Sequence, residues 1–422
     1  MLDFQKLSAI YQQALLRQVV PFWLKNSRDD QCGGYFDLLS DTGTPIEGDK
    51  FVSMHAQQVW AFAWLYNTLD GQAAWLEHAR HGAGFLSQFA HEDSLACYAQ
   101  VDRRGRPVAQ LTEFNSDCYT IMAYVQIHRA TRQDEWAMLA KQSLDVLLQR
   151  RDDFRAEQNQ LLGAVRQVRQ LSEATAFLKM MLDMQPLLAE DVWKQHIDLA
   201  MQDILHEFMD RRTDTLREFV LPEGAFINTP EGRRLNVGLS FQTASYLFDY
   251  YTVNASARTG AIIGTNRRLA MQVVNWCLRL CEQAWDEAQA GLDQYVDIKQ
   301  QPSIFPDWHQ KWAWVQLEAL SALIKGYEHT RHPDCLKWFK RIHDYTFQHF
   351  PDPKQAGWHL VIDQHTQPLV TVKATPTVGC FSLIRCLAET GTLLTKLSQL
   401  KDRPGRTGLS PASVTSFGQI PQ

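Results

Sequence analysis

Five stretches of this chain set polar side chains at the start of otherwise apolar, helix-periodic segments, and these residues are the ones equipped for chemistry. The first runs Lys50-Phe51-Val52-Ser53-Met54-His55-Ala56-Gln57, and the second Asn115-Ser116-Asp117-Cys118-Tyr119. Asn236-Val237-Gly238-Leu239-Ser240-Phe241-Gln242 opens a third helix. Lys311-Trp312-Ala313-Trp314-Val315-Gln316-Leu317-Glu318 opens a fourth, and Lys373 leads through Ser382 to Arg385 in the last. On a helix, Trp314 and Glu318 share a face at i,i+4, as do Leu239 and Gln242 at i,i+3. A tryptophan face stacks on a pyranose ring while a carboxylate accepts its hydroxyls, so Trp314 and Glu318 suit a sugar. The plainer alternative is a core tryptophan beside a buried, paired glutamate. Lys373 and Arg385 suit either an anionic substituent or structural ion pairs.

Other titratable groups flank these starts. His55 neighbours Gln57, and His309 belongs to Asp307-Trp308-His309, a loop expected to face a cavity ahead of the Trp314 helix. His359 sits farther on, and Glu113, Asp117 and Asp307 stand near helix entrances. Histidine titrates near neutrality and can shuttle protons, yet most histidines in proteins only hydrogen-bond. Glu318 paired with Asp117 or Asp307 would allow glycoside hydrolysis. There a carboxyl separation of about 5 Å retains configuration and about 6.5–9.5 Å inverts it.

Composition narrows the classes. A net charge of −5 and a pI near 6.3 leave no basic stripe for phosphates, so no nucleic-acid partner is expected. Neither a Gly-x-Gly-x-x-Gly nor a Walker motif follows a strand pattern, and no cofactor is expected. The eight cysteines form no Cys-x-x-Cys knuckle; Cys277 and Cys281 are helix-spaced, which fits packing rather than zinc, so no metal is expected. The amphipathic N-terminus lacks a signal-type apolar stretch, and the longest apolar run, Val59 to Tyr66, is too short to cross a bilayer. A reduced, cytoplasmic protein without a membrane partner is the expectation.

The elements that position these residues are mostly helical. Apolar residues recur at three- and four-residue spacing in about a dozen segments between Leu7 and Leu397. Strongly apolar segments alternate with segments that keep a polar face, such as Trp136–Arg150 and Arg267–Ala288. Nested inner and outer rings of helices give this alternation. A hairpin phrase also recurs three times. Gly34-Tyr35-Phe36 leads to Asp41-Thr42-Gly43 and Pro45, and Cys97-Tyr98-Ala99 to Asp102-Arg103-Arg104-Gly105 and Pro107. Gly357-Trp358-His359 leads to Asp363-Gln364-His365 and Pro368. An aromatic strand, an Asp/Gly turn and a second strand opened by Pro is a hairpin signature. The expected fold is therefore all-α, an (α/α)6 toroid or barrel with short β-hairpins on one rim. No linker interrupts residues 1–400, expected to be a single domain, and the Gly/Pro/Ser-rich stretch 401–422 reads as a flexible tail.

In that order, the five segments resemble the N-acylglucosamine 2-epimerase family, also known as the renin-binding protein or sugar 2-epimerase group. The likeness runs from Phe22-Trp23 to about Leu397. It rests on Gln58-Val59-Trp60, on Ser116-Asp117-Cys118-Tyr119, and on Trp314 with Glu318-Ala319. Lys373 through Gly379-Cys380-Phe381 to Arg385-Cys386-Leu387 completes it. The resemblance implies an (α/α)6 barrel, a small carbohydrate as partner, and epimerisation at C2 of an aldose or N-acylhexosamine. A homodimer and regulation by a nucleotide are left open. It also implies two catalytic histidines, and here those positions carry Leu239 and Ser382. A family arginine falls on Gln57, a helix-start glutamate on Gln242, and a further histidine of some branches on Gln170 ahead of Glu173. Leucine carries no proton and an unactivated serine is a poor base at neutral pH, so the two-histidine mechanism cannot run on these residues. Two readings follow: a family member with altered or lost epimerase chemistry, or a non-catalytic saccharide-binding or regulatory protein. The expected binding set is Gln57, Asp117, Gln242, His309, Trp314, Glu318, Ser382 and Arg385.

Overall fold

The computed structural model describes residues 2–110, 114–160, 168–256, 261–303, 305–363 and 365–401. Glu113, Gln364 and the tail from residue 402 lie outside the described residues. Helix α1 spans Phe4–Gln13 and continues through a π-helical stretch, Ala14–Val19, into Val20–Asn26. Then come α2 (Val52–Thr68), α3 (Ala73–Phe89), α4 (Asn115–Thr131), α5 (Asp134–Gln160) and α6 (Leu171–Met184). Helix α7 (Glu190–Gln202) runs on into Asp203–Phe208, and α8 (Val237–Ser256) and α9 (Ala261–Ala284) follow. The last three are α10 (Ala313–Thr330), α11 (Pro333–His349) and α12 (Phe381–Lys401).

Even-numbered helices form a closed ring. Each packs on the next, α2 on α4, α6, α8, α10 and α12 in turn, and α12 returns to α2. Odd-numbered helices lie outside, with α3 against α2, α5 against α4, α7 against α6 and α11 against α10. Helix α9 bridges α8 and α10, and α1 covers α12. The sequence dictates which ring a helix joins. Helix α2 buries Ala56, Val59, Trp60, Ala61, Phe62 and Ala63 on every side, as a helix surrounded by others must. Helix α11 buries one side, Cys335, Phe339, Ile342, His343, Tyr345 and Thr346, and exposes charged residues such as Lys340, Arg341 and Asp344 on the other. The expected (α/α)6 architecture is therefore present.

The ring is stitched between its first and last units. Leu39–Ser40 pairs antiparallel with Val372–Ala374, and Ser8 Oγ donates to the Gly391 carbonyl at 2.9 Å. The three hairpin phrases sit where the sequence placed them, though only Tyr98–Val101 with Pro107–Gln110 forms paired strands of the hairpin, with shifts in register and Lys50–Phe51 added as a third strand. In the other two, the proline makes an isolated bridge, Leu39 to Pro45 and Ile362 to Pro368. Proline at that point removes no ladder donor the sheet needs.

A second device repeats along the rim that carries the inner-helix N-termini. Asp29, Asp286 and Asp352 each close a turn by donating a backbone N–H to the carbonyl of a glycine five residues on: Gly34, Gly291 and Gly357. All three glycines adopt positive φ, between 69° and 89°, which a side chain would strain. A buried lysine just before an inner helix then salts each turn in place. Lys50 lies 3.1 Å from Asp29, Lys311 3.1 Å from Asp286 and Lys373 2.6 Å from Asp352. Lys373 is thus structural, and His359, 3.9 Å from the same Asp352, belongs to that turn rather than to a cavity.

Candidate functional site

The first turns of the inner helices open onto a cavity of about 460 Å³. Gln57 of α2, Tyr119 of α4, Gln242 of α8, Trp314 of α10 and Phe381 and Ser382 of α12 line it from the ring. Gln294, Tyr295, Asp307, Gln310, Trp312 and the Thr377–Gly379 loop line it from the rim. Gln57, Gln242 and Glu318 are each the sixth residue of an inner helix, so three units place a polar side chain at the equivalent helix position. Four glutamines and five aromatic residues dominate the wall, and no histidine is among the described lining residues.

Glu318 does not itself face the cavity. It is fully buried one layer behind, where Gln242 Nε2 at 2.9 Å and Ser382 Oγ at 2.7 Å both donate to its Oε1. Arg385 donates to Oε2, so both carboxylate oxygens are engaged and Glu318 braces the cavity wall instead of receiving sugar hydroxyls. Arg385, also fully buried, reaches Glu389 at 2.8 Å, and Lys325 joins Glu389 at 3.0 Å and Asp249 at 2.7 Å. Burial raises the Asp249 carboxyl, only partly offset by Lys325, while Lys325 and Arg385 outweigh burial at Glu389 and hold it below the usual carboxylate range. This buried ionic ladder needs every partner, since an unpaired charge there would be strongly destabilising.

Three expected site residues take other places. Asp117 is buried, accepts the Cys97 N–H at 2.9 Å and receives Arg150 at 3.0 Å; burial raises its carboxyl although Arg150 pulls it down. His55 does the equivalent work in its own unit, accepting the Tyr35 N–H at 2.8 Å, and Gln316 accepts the Leu292 N–H at 3.0 Å. Imidazole, carboxylate and amide thus serve one purpose, anchoring a rim turn to an inner helix. His309 points to solvent, with 64% of its side chain exposed, and pairs with Asp293 at 2.9 Å. Its neighbours Asp307 and Gln310 line the cavity instead. Arg385 is the third, locked behind Glu318 rather than open to a ligand.

Leu239 is buried next to Gly238 and is not among the lining residues, whereas Ser382 is. Gly238 matters for another reason. A Cβ there would fall 2.3 Å from the Trp314 ring, so the indole lies directly on the start of α8. Gln170 and Glu173 line a separate cavity of about 50 Å³ with Arg151 and Asp203, between α4, α6 and α7. Hydrolysis by a carboxylate pair finds no second free acid: Glu318 and Asp117 are both ion-paired, and Asp307 is the lone carboxylate among the described lining residues. Tyr119 and Trp312 belong to two of the helix-start stretches, whereas the sequence offers no comparable mark for Gln294, Tyr295 and Gln310. An Asp followed five residues on by Gly recurs at Asp29–Gly34, Asp286–Gly291 and Asp352–Gly357, and that spacing in the sequence marks the rim segment leading to Gln294.

Among the described residues no group of histidine, cysteine or acidic side chains is arranged to hold a metal, and no helix is long and apolar enough to cross a membrane.

Known proteins share this frame. The mouse N-acylglucosamine 2-epimerase is 27% identical over 416 residues, covering 96% of this chain and 95% of its own. A solved cellobiose 2-epimerase from Bacillus thermoamylovorans superposes with a TM-score of 0.77 at 18% identity, over 92% of this chain and 99% of that one. A D-mannose isomerase structure gives 0.74 at 14% identity, over 90% and 97%. The family model described as N-acylglucosamine 2-epimerase matches residues 34–378, and with the closed ring of helices behind it the chain belongs to the N-acylglucosamine 2-epimerase family.

Proposed function

We propose that this protein binds a small carbohydrate in the central cavity and does not epimerise it by the two-histidine route. Supporting the first half are the family membership, the cavity's size, and its walls of aromatic faces and amides. Aromatic faces suit a pyranose, and glutamines offer both donors and acceptors to hydroxyls. One observation carries the second half: the described cavity wall holds no imidazole, and Ser382, where the resemblance expects one, spends its hydroxyl proton on Glu318. Removing a weakly acidic C2 proton and returning one to the opposite face needs groups poised near neutral pH. Amides and a serine tied to a paired carboxylate are not so poised.

Calorimetric titration against a panel of hexoses and N-acylhexosamines, run beside incubation with N-acetylmannosamine, mannose and glucose in D2O, tests both halves. Saturable binding with no deuterium at C2 is the expected result. Solvent deuterium appearing at C2 would overturn the non-epimerising reading, and silence from every sugar would overturn the binding reading.

A further inference from the structure

The cavity carries an unbalanced charge. Asp307 is exposed at its mouth and makes no side-chain hydrogen bond or ion pair among the described residues. No lysine, arginine or histidine lines the described wall. Cations close behind it are already engaged: Arg385 by Glu318 and Glu389, Lys373 by Asp352, Lys311 by Asp286 and Asp293, Arg234 by Glu218. Gln57 stands where a family arginine is expected, so a positive charge is replaced by an amide. A cleft lined by one sign of charge concentrates the opposite sign in its ligand.

Two further features give that field a direction. Trp312 shares the rim with Asp307, and aromatic faces attract cations; the Tyr295 ring beside them already carries the Arg234 guanidinium, 4.3 Å from its centroid and paired with Glu218. Burial, followed by the charges of Glu218 and Asp307, pushes the Tyr295 hydroxyl up, which places Asp307 within electrostatic reach of that ring. At the floor stand the N-terminal turns of the inner helices, each carrying roughly half a positive charge that favours electronegative oxygens. The mouth is therefore negative and the floor positive.

We propose that the cavity selects a saccharide bearing a protonated amine, an amino sugar with a free ammonium group, over its N-acylated and neutral counterparts. The ammonium sits against Asp307 at the mouth, and the hydroxyls reach Gln57, Gln242 and Ser382 at the floor. This rests on the carbohydrate reading above and narrows it.

Glucosamine, N-acetylglucosamine and glucose are titrated into the full chain by calorimetry at about pH 6, where an amine of α-amino type is protonated. Glucosamine is expected to bind at least tenfold more tightly than the other two, with the margin shrinking as salt rises. In Asp307→Asn the margin of glucosamine over N-acetylglucosamine and glucose should fall to within about twofold, a loss of selectivity that general unfolding cannot produce. Equal affinities in the parent protein, or a margin unchanged in Asp307→Asn, overturn the ammonium assignment and leave the carbohydrate reading standing. Failure of all three sugars to bind overturns both.

Discussion

At the scale of single residues, the wall of the cavity is set by contacts one layer behind it. Trp314 is the plainest case, because its ring rests on the bare Cα of Gly238 with no room for a methyl group. Gly238 has an ordinary helical backbone, so the requirement is one of close approach and not of backbone freedom. Gly238→Ala must therefore push the indole toward the cavity, since α8 is held by α6 and α10 on either side. The alanine itself is a better helix former by about 0.8–1 kcal/mol, which offsets part of the strain. Sugar affinity should accordingly fall by tenfold or more while the urea midpoint changes little. Calorimetry and urea titration of the variant check this; unchanged affinity would mean that Trp314 is no part of the binding wall. The same logic favours, of the two sequence readings of Glu318, the buried and paired glutamate. Its i,i+4 partnership with Trp314 correctly gave a shared helix face, but not the depth at which Gln242 and Ser382 come between it and the cavity.

Elements show the same division between what periodicity carries and what it omits. Which helices are inner and which outer was legible, because burial on all sides and burial on one side leave different patterns, as α2 and α11 illustrate. The starts of α4 at Asn115 and α8 at Val237 fall on the polar stretches that the sequence marks as helix openings. The roles of His55 and Asp117 were hidden because anchoring a turn and serving a substrate call for the same polar side chain at the same helix start. The outer helix α3 hides another group of this kind. His78 is buried between Tyr35 and Phe62, accepts from Gln58 Nε2 at 2.8 Å, and is held by burial down to about 3. His343 of α11, stacked on Tyr11 and Phe339, is likewise held by burial at about 4. Below an unfolded value near 6.5, the unfolded chain takes up protons that the native fold refuses. Stability is thus fully present above that value and lost as pH falls, to about 4 for His343 and about 3 for His78, by about 1.4 kcal/mol per unit of displacement for each group. Asp352, held at about 2 chiefly by Lys373 against burial, adds its own loss only below about pH 4. His78→Gln keeps an acceptor for Gln58 but cannot titrate. Its urea midpoint should decline less steeply than the parent's between pH 6.5 and about 3, and equally below that. Parallel curves throughout would show that His78 is protonated in the fold.

For the whole molecule, the question is whether the frame holds the geometry of an epimerase with Leu239 and Ser382 at the two positions where the resemblance expects histidines. The ring closes on itself, the rim turns are salted by Lys50, Lys311 and Lys373, and the ladder from Glu318 through Arg385, Glu389 and Lys325 runs through the inner helices. None of these supports involves Leu239, and Ser382 contributes one hydrogen bond to them. Restoring chemistry is therefore a matter of side chains on a fold already built, and the changes must be made together. A carboxylate introduced alone at 242 would face Glu318 Oε1 at about the 2.9 Å now spanned by the amide, and like charges that close cannot both stay ionised. An imidazole at 382 replaces a hydroxyl bonded to that same oxygen, and an arginine at 57 supplies the positive charge that the cavity lacks. Combining Gln57→Arg, Leu239→His, Gln242→Glu and Ser382→His should give measurable deuterium uptake at C2 of N-acetylmannosamine or mannose, with each single change inactive. Strong non-additivity is the rule for groups that act as a unit. If the combined variant folds, binds sugar and still leaves C2 unlabelled, the wall residues have drifted from a catalytic arrangement, and the frame is preserved for binding alone.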